Sequence, residues 1–162
     1  MKLIEIWKNR GKGDSQKNKQ LLHRLKKSKN KEINAVADQL HEEVFAELDC
    51  LDCANCCKSI PPIVNEMDVK RASRFLGLKP ADFKADYCLI DKDGDMVINA
   101  SPCPFLEDDN KCSIYEGRPR ACREYPHTDN FEFQKNIRLH LINSEYCPAV
   151  YHILEKMRNI HQ

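Results

Sequence analysis

The chain has 162 residues, balances 26 Lys and Arg against 25 Asp and Glu, and contains nine cysteines. This length suits one domain with an appendage, and no apolar stretch approaches the ~18 residues that a bilayer span requires, so the expectation is a cytoplasmic protein without a membrane segment. The near-neutral total hides a segregation, because residues 1–31 hold eleven Lys or Arg with only Glu5 and Asp14, whereas residues 32–57 hold seven acidic residues and no Lys or Arg.

The first 31 residues therefore read as a basic N-terminal arm or helix, and residues 32–162 as a cysteine-cluster domain. The basic stretch contains no apolar run of signal-peptide length. Its charge suits RNA or an acidic protein partner, but Trp7 is its sole aromatic residue, and a solvated helix face with a frayed start explains the same pattern. Gly11-Lys12-Gly13-Asp14-Ser15 breaks the segment. A helix can start near Asp14 or Ser15 and run through Leu21, Leu22 and Leu25. Beyond it Ile33, Val36, Ala37, Leu40, Val44, Phe45 and Leu48 recur at spacings of three and four, an apolar helical stripe. Helix is thus expected over 15–49, its carboxyl end delivering Cys50.

Next comes Cys50-Leu51-Asp52-Cys53-Ala54-Asn55-Cys56-Cys57. Thiols at i, i+3 and i+6 on a tight loop can converge as thiolates on one soft or borderline metal. Neighbouring side chains usually diverge, so Cys56 and Cys57 are expected to serve two centres, or one shared centre, rather than two corners of a single tetrahedron. A disulfide scaffold is the competing reading of so many cysteines. The odd count of nine, a chain long enough to form a core without staples, and the lysine- and glutamate-rich composition favour reduced, metal-binding thiols.

After the cluster, Ile60-Pro61-Pro62-Ile63-Val64 reads as extended, because proline excludes helix and biases its predecessor toward β geometry. Asn65 is an N-cap candidate, with Asp68 three residues on, Val69, Ala72, Phe75 and Leu76 inside and Gly77 as the stop, giving a helix of about eleven residues over 65–77. Residues 78–83 read as a turn with a short helical start. The segment 87–98 reads as a β-hairpin around Asp93-Gly94. Its acidic turn does not match an EF-hand loop, which places glycine sixth and glutamate twelfth, whereas here Gly94 falls fourth and Pro102 twelfth. A last helix over 147–160 starts with Pro148 in its first turn and buries Val150, Ile153, Leu154, Met157 and Ile160.

The remaining cysteines lie in Cys103-Pro104-Phe105-Leu106, in Cys112-Ser113-Ile114-Tyr115 and in Arg118-Pro119-Arg120-Ala121-Cys122-Arg123-Glu124-Tyr125-Pro126. With Cys-x-x-Cys-x-x-Cys-Cys, these blocks resemble, in order and over residues 50–127, the YkgJ-type cysteine-cluster family, the CxxCxxCC zinc- or iron-chelating domain. The resemblance implies a metal-binding module whose relatives include flagellin lysine N-methylases. It assigns Cys50, Cys53, Cys56, Cys57, Cys103, Cys112 and Cys122 to family cysteine positions. Cys147 joins them because a late cysteine recurs in the family, and Cys88 fits the pattern least.

Eight such thiols suffice for two four-thiolate sites or one larger cluster. Zinc favours separate closed tetrahedra, while the Cys-x-x-Cys-x-x-Cys run partly matches ferredoxin spacing around an iron-sulfur cluster. The cofactor expectation is iron, as iron-sulfur or cysteinyl iron, or else zinc. His127 is the histidine placed to join the site as ligand or proton carrier, whereas His23, His41, His140, His152 and His161 are expected to face solvent. Arg118, Arg120 and Arg123 flank thiolates, and Arg118 and Arg123 are candidates to offset polythiolate charge or receive an anionic substrate.

The fold expected is α+β, mostly helical with irregular loops and one small hairpin, organised around a cysteine-rich metal centre. Three functions follow: a metal-binding protein with a structural, metal-handling or redox role, an iron-sulfur enzyme related to the methylases, or a zinc module presenting its basic arm to RNA or a protein. The chain shows no Gly-rich loop to cradle a nucleotide or S-adenosylmethionine, which weighs against the enzyme.

Overall fold

The computed structural model describes residues 2–10, 15–27, 29–129 and 132–160. By contact density the chain divides into two units, one comprising Met1–Cys53 with Pro126–Gln162 and the other Ala54–Tyr125. Both are mainly helical, and a single two-stranded antiparallel sheet in the second makes the class α+β.

Unit 1 opens with α1 (Lys2–Lys8), which the sequence pattern did not predict. Seven residues cannot hold a helix alone; tertiary contacts hold this one. Ile4 and Trp7 are buried, the Trp7 indole donates to the Ser144 carbonyl at 2.9 Å, and Arg10 lies 4.3 Å over the Trp7 ring. The break expected at Gly11–Ser15 falls on residues 11–14, outside the described ones, and α2 (Ser15–Lys27) follows it. The helical region expected over 15–49, read from two successive apolar patterns, is two helices, because α2 ends at Lys27, Lys29 is extended, and α3 (Asn30–Phe45) starts afresh. No Pro or Gly marks this break. On its two sides α2 packs on α9 (Ile137–Asn143) and α3 on α10 (Pro148–Ile160).

The stripe read from the sequence is the core of this unit. Ile33, Ala37, Leu40, Val44 and Leu48 are buried, together with Val150, Ile153, Leu154 and Met157 of α10. Ile160 is exposed, so the buried face of α10 ends one turn earlier than expected. Leu21 and Leu25 of α2 are also buried, so the basic segment docks through its apolar residues.

The cysteine run forms no simple loop. It makes two short helices, α4 (Cys50–Cys53) and α5 (Asn55–Ser59), separated by Ala54 in a left-handed conformation at φ 47°.

In unit 2, α6 (Glu66–Leu76) has the predicted bounds. Asn65 and Asp68 form a reciprocal capping box, and Gly77 ends the helix at φ 70°. The expected turn at 78–83 is a full helix, α7 (Pro80–Tyr87), with Pro80 at its first position and Phe83 buried. The hairpin is β1 (Cys88–Ile90) and β2 (Met96–Ile98), with Leu89 opposite Val97. Ile63 bridges Val97 from the other side, as the extended reading of 60–64 requires. Val64, Val69, Ala72, Phe83, Ile98, Phe105 and Ile114 form the core of this unit. A 3₁₀ turn at Tyr115–Gly117 leads into α8 (Arg120–Glu124).

Candidate metal centre

None of the nine cysteines is joined in a disulfide. Four of them, Cys57, Cys103, Cys112 and Cys122, come from four separated stretches of sequence and influence one another electrostatically in unit 2. The Cys103 amide donates to the Cys57 carbonyl at 2.8 Å, which joins α5 to the Cys-Pro-Phe-Leu segment. That segment turns back on itself, with Leu106 bridged to Cys112 and the Ser113 amide donating to the Phe105 carbonyl at 2.9 Å. Cys103 and Cys112 both pack partly against the apolar core. Cys122 sits on α8, whose first amide, that of Arg120, donates to Asp68 at 2.9 Å.

Asp68 is the residue that sequence reasoning undervalued. Its carboxylate is 2% exposed, accepts from the Asn65 amide, pairs with Arg71 and receives Arg120, so the α6 cap also anchors the helix bearing Cys122. The capping box was legible in the sequence. The bond to Arg120, 52 residues away, was not.

The four thiols act on one another. Burial and then the neighbouring thiolates of Cys57, Cys103 and Cys112 push Cys122 up to about 12. Burial likewise raises Cys103 and Cys112, with Cys57 adding to each. Cys57 is the exception, pulled down to about 7 by its thiol contact with Cys56, 4.0 Å away, and by the Arg118 and Lys58 charges, against desolvation. Arg118 is therefore the arginine that acts on these sulfurs. Its guanidinium donates to the Tyr115 carbonyl at 2.7 Å and lies 3.3 Å from the Tyr115 ring centre, a fixed rather than a searching cation. Arg123 is exposed on α8, and Arg120 pairs with Glu124 at 2.5 Å.

In unit 1, α4 places Cys50 and Cys53 one turn apart, and Cys147 lies buried just ahead of α10. Burial pushes Cys147 up to about 12, and Cys50 and Cys53 add to the rise as neighbouring thiolates. Cys88 stands elsewhere, on β1 against the unit 2 core, its thiol raised by burial and flanked by Lys84 and Glu66 rather than by other sulfurs.

His127 is half-buried at φ 64°, a left-handed position, and its charge acts on His140. The histidines expected to face solvent divide. His23 is exposed and His161 lies outside the described residues. His41 is half-buried, its Nδ1 2.8 Å from the Thr128 hydroxyl. His152 is buried with its Nε2 2.8 Å from the Leu3 carbonyl, and His140 is wholly buried, stacked on Phe133 with ring centres 4.2 Å apart. The expectation fails for these two because His152 meets the Leu3 carbonyl of α1 and His140 lies against Phe133, which short-range pattern does not reveal.

Among the described residues, no group of three His, Cys, Asp or Glu donors stands ready-made to hold a metal ion. A metal ion held by these thiols would therefore require the sulfurs to move together, as in sites whose final geometry forms with the metal. The donor chemistry fits such an ion. Half-buried thiols that raise one another resist joint ionisation, and a zinc or iron cation removes that repulsion by supporting them as thiolates. A fold of short helices and turns that gathers thiols from four stretches of sequence defines a cysteine-rich metal-binding domain. The chain belongs to the CxxCxxCC family, described as a "putative zinc- or iron-chelating domain", whose sequence profile matches residues 49–148. No curated protein and no solved structure matches the chain. No helix among the described residues is long and apolar enough to cross a membrane.

Proposed function

We propose that this protein is a metal-binding module in which zinc or iron, held by cysteine thiolates, serves first to fix the structure. The observation that carries this reading is that backbone contacts join the segments of Cys57, Cys103 and Cys112, while Cys122 stands on α8, whose first amide donates to the buried Asp68 carboxylate. Around these thiols α5 and α8 have five residues each, and the connecting segments are turns. Elements this short do not persist by themselves, so ligation supplies folding free energy there. Arg118 offsets the excess negative charge of several thiolates on one divalent ion.

The basic-arm reading is less supported. Trp7, the aromatic side chain that would stack on a base, is 6% exposed and hydrogen-bonded to Ser144, and Leu21 and Leu25 are buried. Exposed lysines remain, and any nucleic-acid contact would be purely electrostatic.

Elemental analysis of protein purified without oxygen, with its visible spectrum, tests the metal reading. Bound zinc without colour, or iron with a broad absorption near ~400 nm from thiolate-to-iron charge transfer, is the expected result. Protein that carries neither metal and takes up neither on reconstitution would sink the proposal.

A further inference from the structure

We propose that the outer face of α2 binds the phosphate backbone of double-stranded DNA through lysine charge, without reading its sequence. This goes beyond the metal-binding reading and does not depend on it.

The 13 residues of α2 hold Lys17, Lys19, Arg24, Lys26 and Lys27 and no acidic side chain. Leu21 and Leu25 are buried. At about 100° per residue, Gln16, Lys19, His23, Lys26 and Lys27 fall on the side of the helix opposite those leucines, and all five are exposed. Lys29 and Lys31, exposed just beyond, extend the run. Among the described residues, Lys19, Lys26, Lys27, Lys29 and Lys31 enter no ion pair. Elsewhere lysines find carboxylates: Lys84 pairs with Glu66 at 2.6 Å, Lys111 with Asp109 at 2.6 Å and Lys156 with Glu43 at 2.8 Å. The α2 surface has no such internal partner, and a polyanion that sheds its counterions supplies one.

The makeup of the face selects the polyanion. It carries no Phe, Tyr or Trp on which an unstacked base could lie, and Trp7 is buried, so a single strand gains nothing there beyond charge. An interfacial membrane helix needs its leucines to enter lipid, and here Leu21 and Leu25 are buried in unit 1. A protein interface draws its energy from aromatic and arginine anchors and is depleted of lysine. Recognition of duplex RNA leans on 2′-hydroxyls in the minor groove, whereas a lysine ammonium is a point charge suited to phosphate. Duplex DNA, with one phosphate charge per about 1.7 Å of axis, matches the row of ammonium groups from Lys19 to Lys27, about 12 Å long.

Fluorescence anisotropy of a labelled DNA duplex with the full-length protein, across a potassium chloride series, tests this. Two unrelated sequences should bind equally, and log K should fall against log salt with a slope of roughly −2.7 to −4.5, as three to five phosphate contacts require. Lys19→Gln, Lys26→Gln and Lys27→Gln together should weaken binding tenfold or more at low salt and flatten the slope by about 2.7, with the circular dichroism spectrum and metal content unchanged. Lys70→Gln, Lys79→Gln and Lys92→Gln together remove the same charge from exposed positions of unit 2 and should leave the affinity within about twofold. No binding at low salt, a slope near zero, or equal losses in the two triple variants would overturn the proposal. So would an RNA duplex bound tenfold more tightly than DNA, or capture of the protein by phosphatidylserine vesicles at a salt concentration where DNA is not bound.

Discussion

Arg118 and His140 show how differently a buried or half-buried charge-bearing group is used in this protein. Arg118 is held over Tyr115 and lowers the Cys57, Cys112 and Cys122 thiols, so its charge favours their thiolate forms. His140 does the opposite. It is 0% exposed, neither ring nitrogen has a hydrogen-bond partner, and burial with the nearby His127 charge lowers it to about 4. An imidazole lowered from an ordinary value near 6.5 favours the neutral fold above that value, and this stability is lost as pH falls from about 6.5 through about 4. The loss at pH 5 amounts to about 2 kcal/mol. His140→Phe keeps the stack on Phe133 and removes the titration. Urea unfolding of the metal-free, reduced proteins should show the variant gaining about 2 kcal/mol over wild type between pH 7 and pH 5. An advantage unchanged across that range would mean that His140 is not the group lowered by burial.

At the scale of elements, legibility tracked the range of the interaction that forms each one. The α6 helix was legible because its cap, the buried Val69 and Ala72 and the Gly77 stop all lie within thirteen residues, although Phe75, expected inside, is exposed. The hairpin was legible for the same reason, with Asp91 accepting from the Asp93 and Asp95 amides in the turn. By contrast α1 exists through Trp7 and Ser144, 137 residues apart, and the break between α2 and α3 separates helices with different packing partners. The cysteines themselves were legible as donors, but which of them meet was not, since the Cys57–Cys103 and Asp68–Arg120 bonds bridge distant segments. This gives α6 two separable roles. Asn65→Ala removes one cap bond and should cost about 1 kcal/mol in chemical unfolding. Asp68→Ala removes the return cap bond, strands Arg71 and frees the α8 amide, and should cost about 3 kcal/mol. Only Asp68→Ala should also weaken zinc binding in a chelator competition, because α8 carries Cys122. Equal losses of zinc affinity in both variants would show that the cap, and not the link to α8, supports the site.

Across the whole molecule, the two units have unequal means of staying folded without metal. Unit 1 has α2, α3 and α10, of 13, 16 and 13 residues, and a core running from Ile33 to Met157. Helices of that length, paired along apolar stripes, hold through packing alone. Unit 2 has a seven-residue core, and its cysteine-bearing pieces, α5, α8 and the 103–113 turn, lie at its margin. Removing metal should therefore act locally rather than unfold the chain in one step. In hydrogen exchange after chelation, amides of 56–60, 103–113 and 120–125 should lose protection by tenfold or more, which corresponds to about 1.4 kcal/mol of local stability. Amides of α3 and the middle of α10 should change little. A uniform loss over both units would instead make the metal the keystone of a single cooperative fold. An unchanged pattern throughout unit 2 would deny the metal a structural role and leave the thiols as sites for metal transfer.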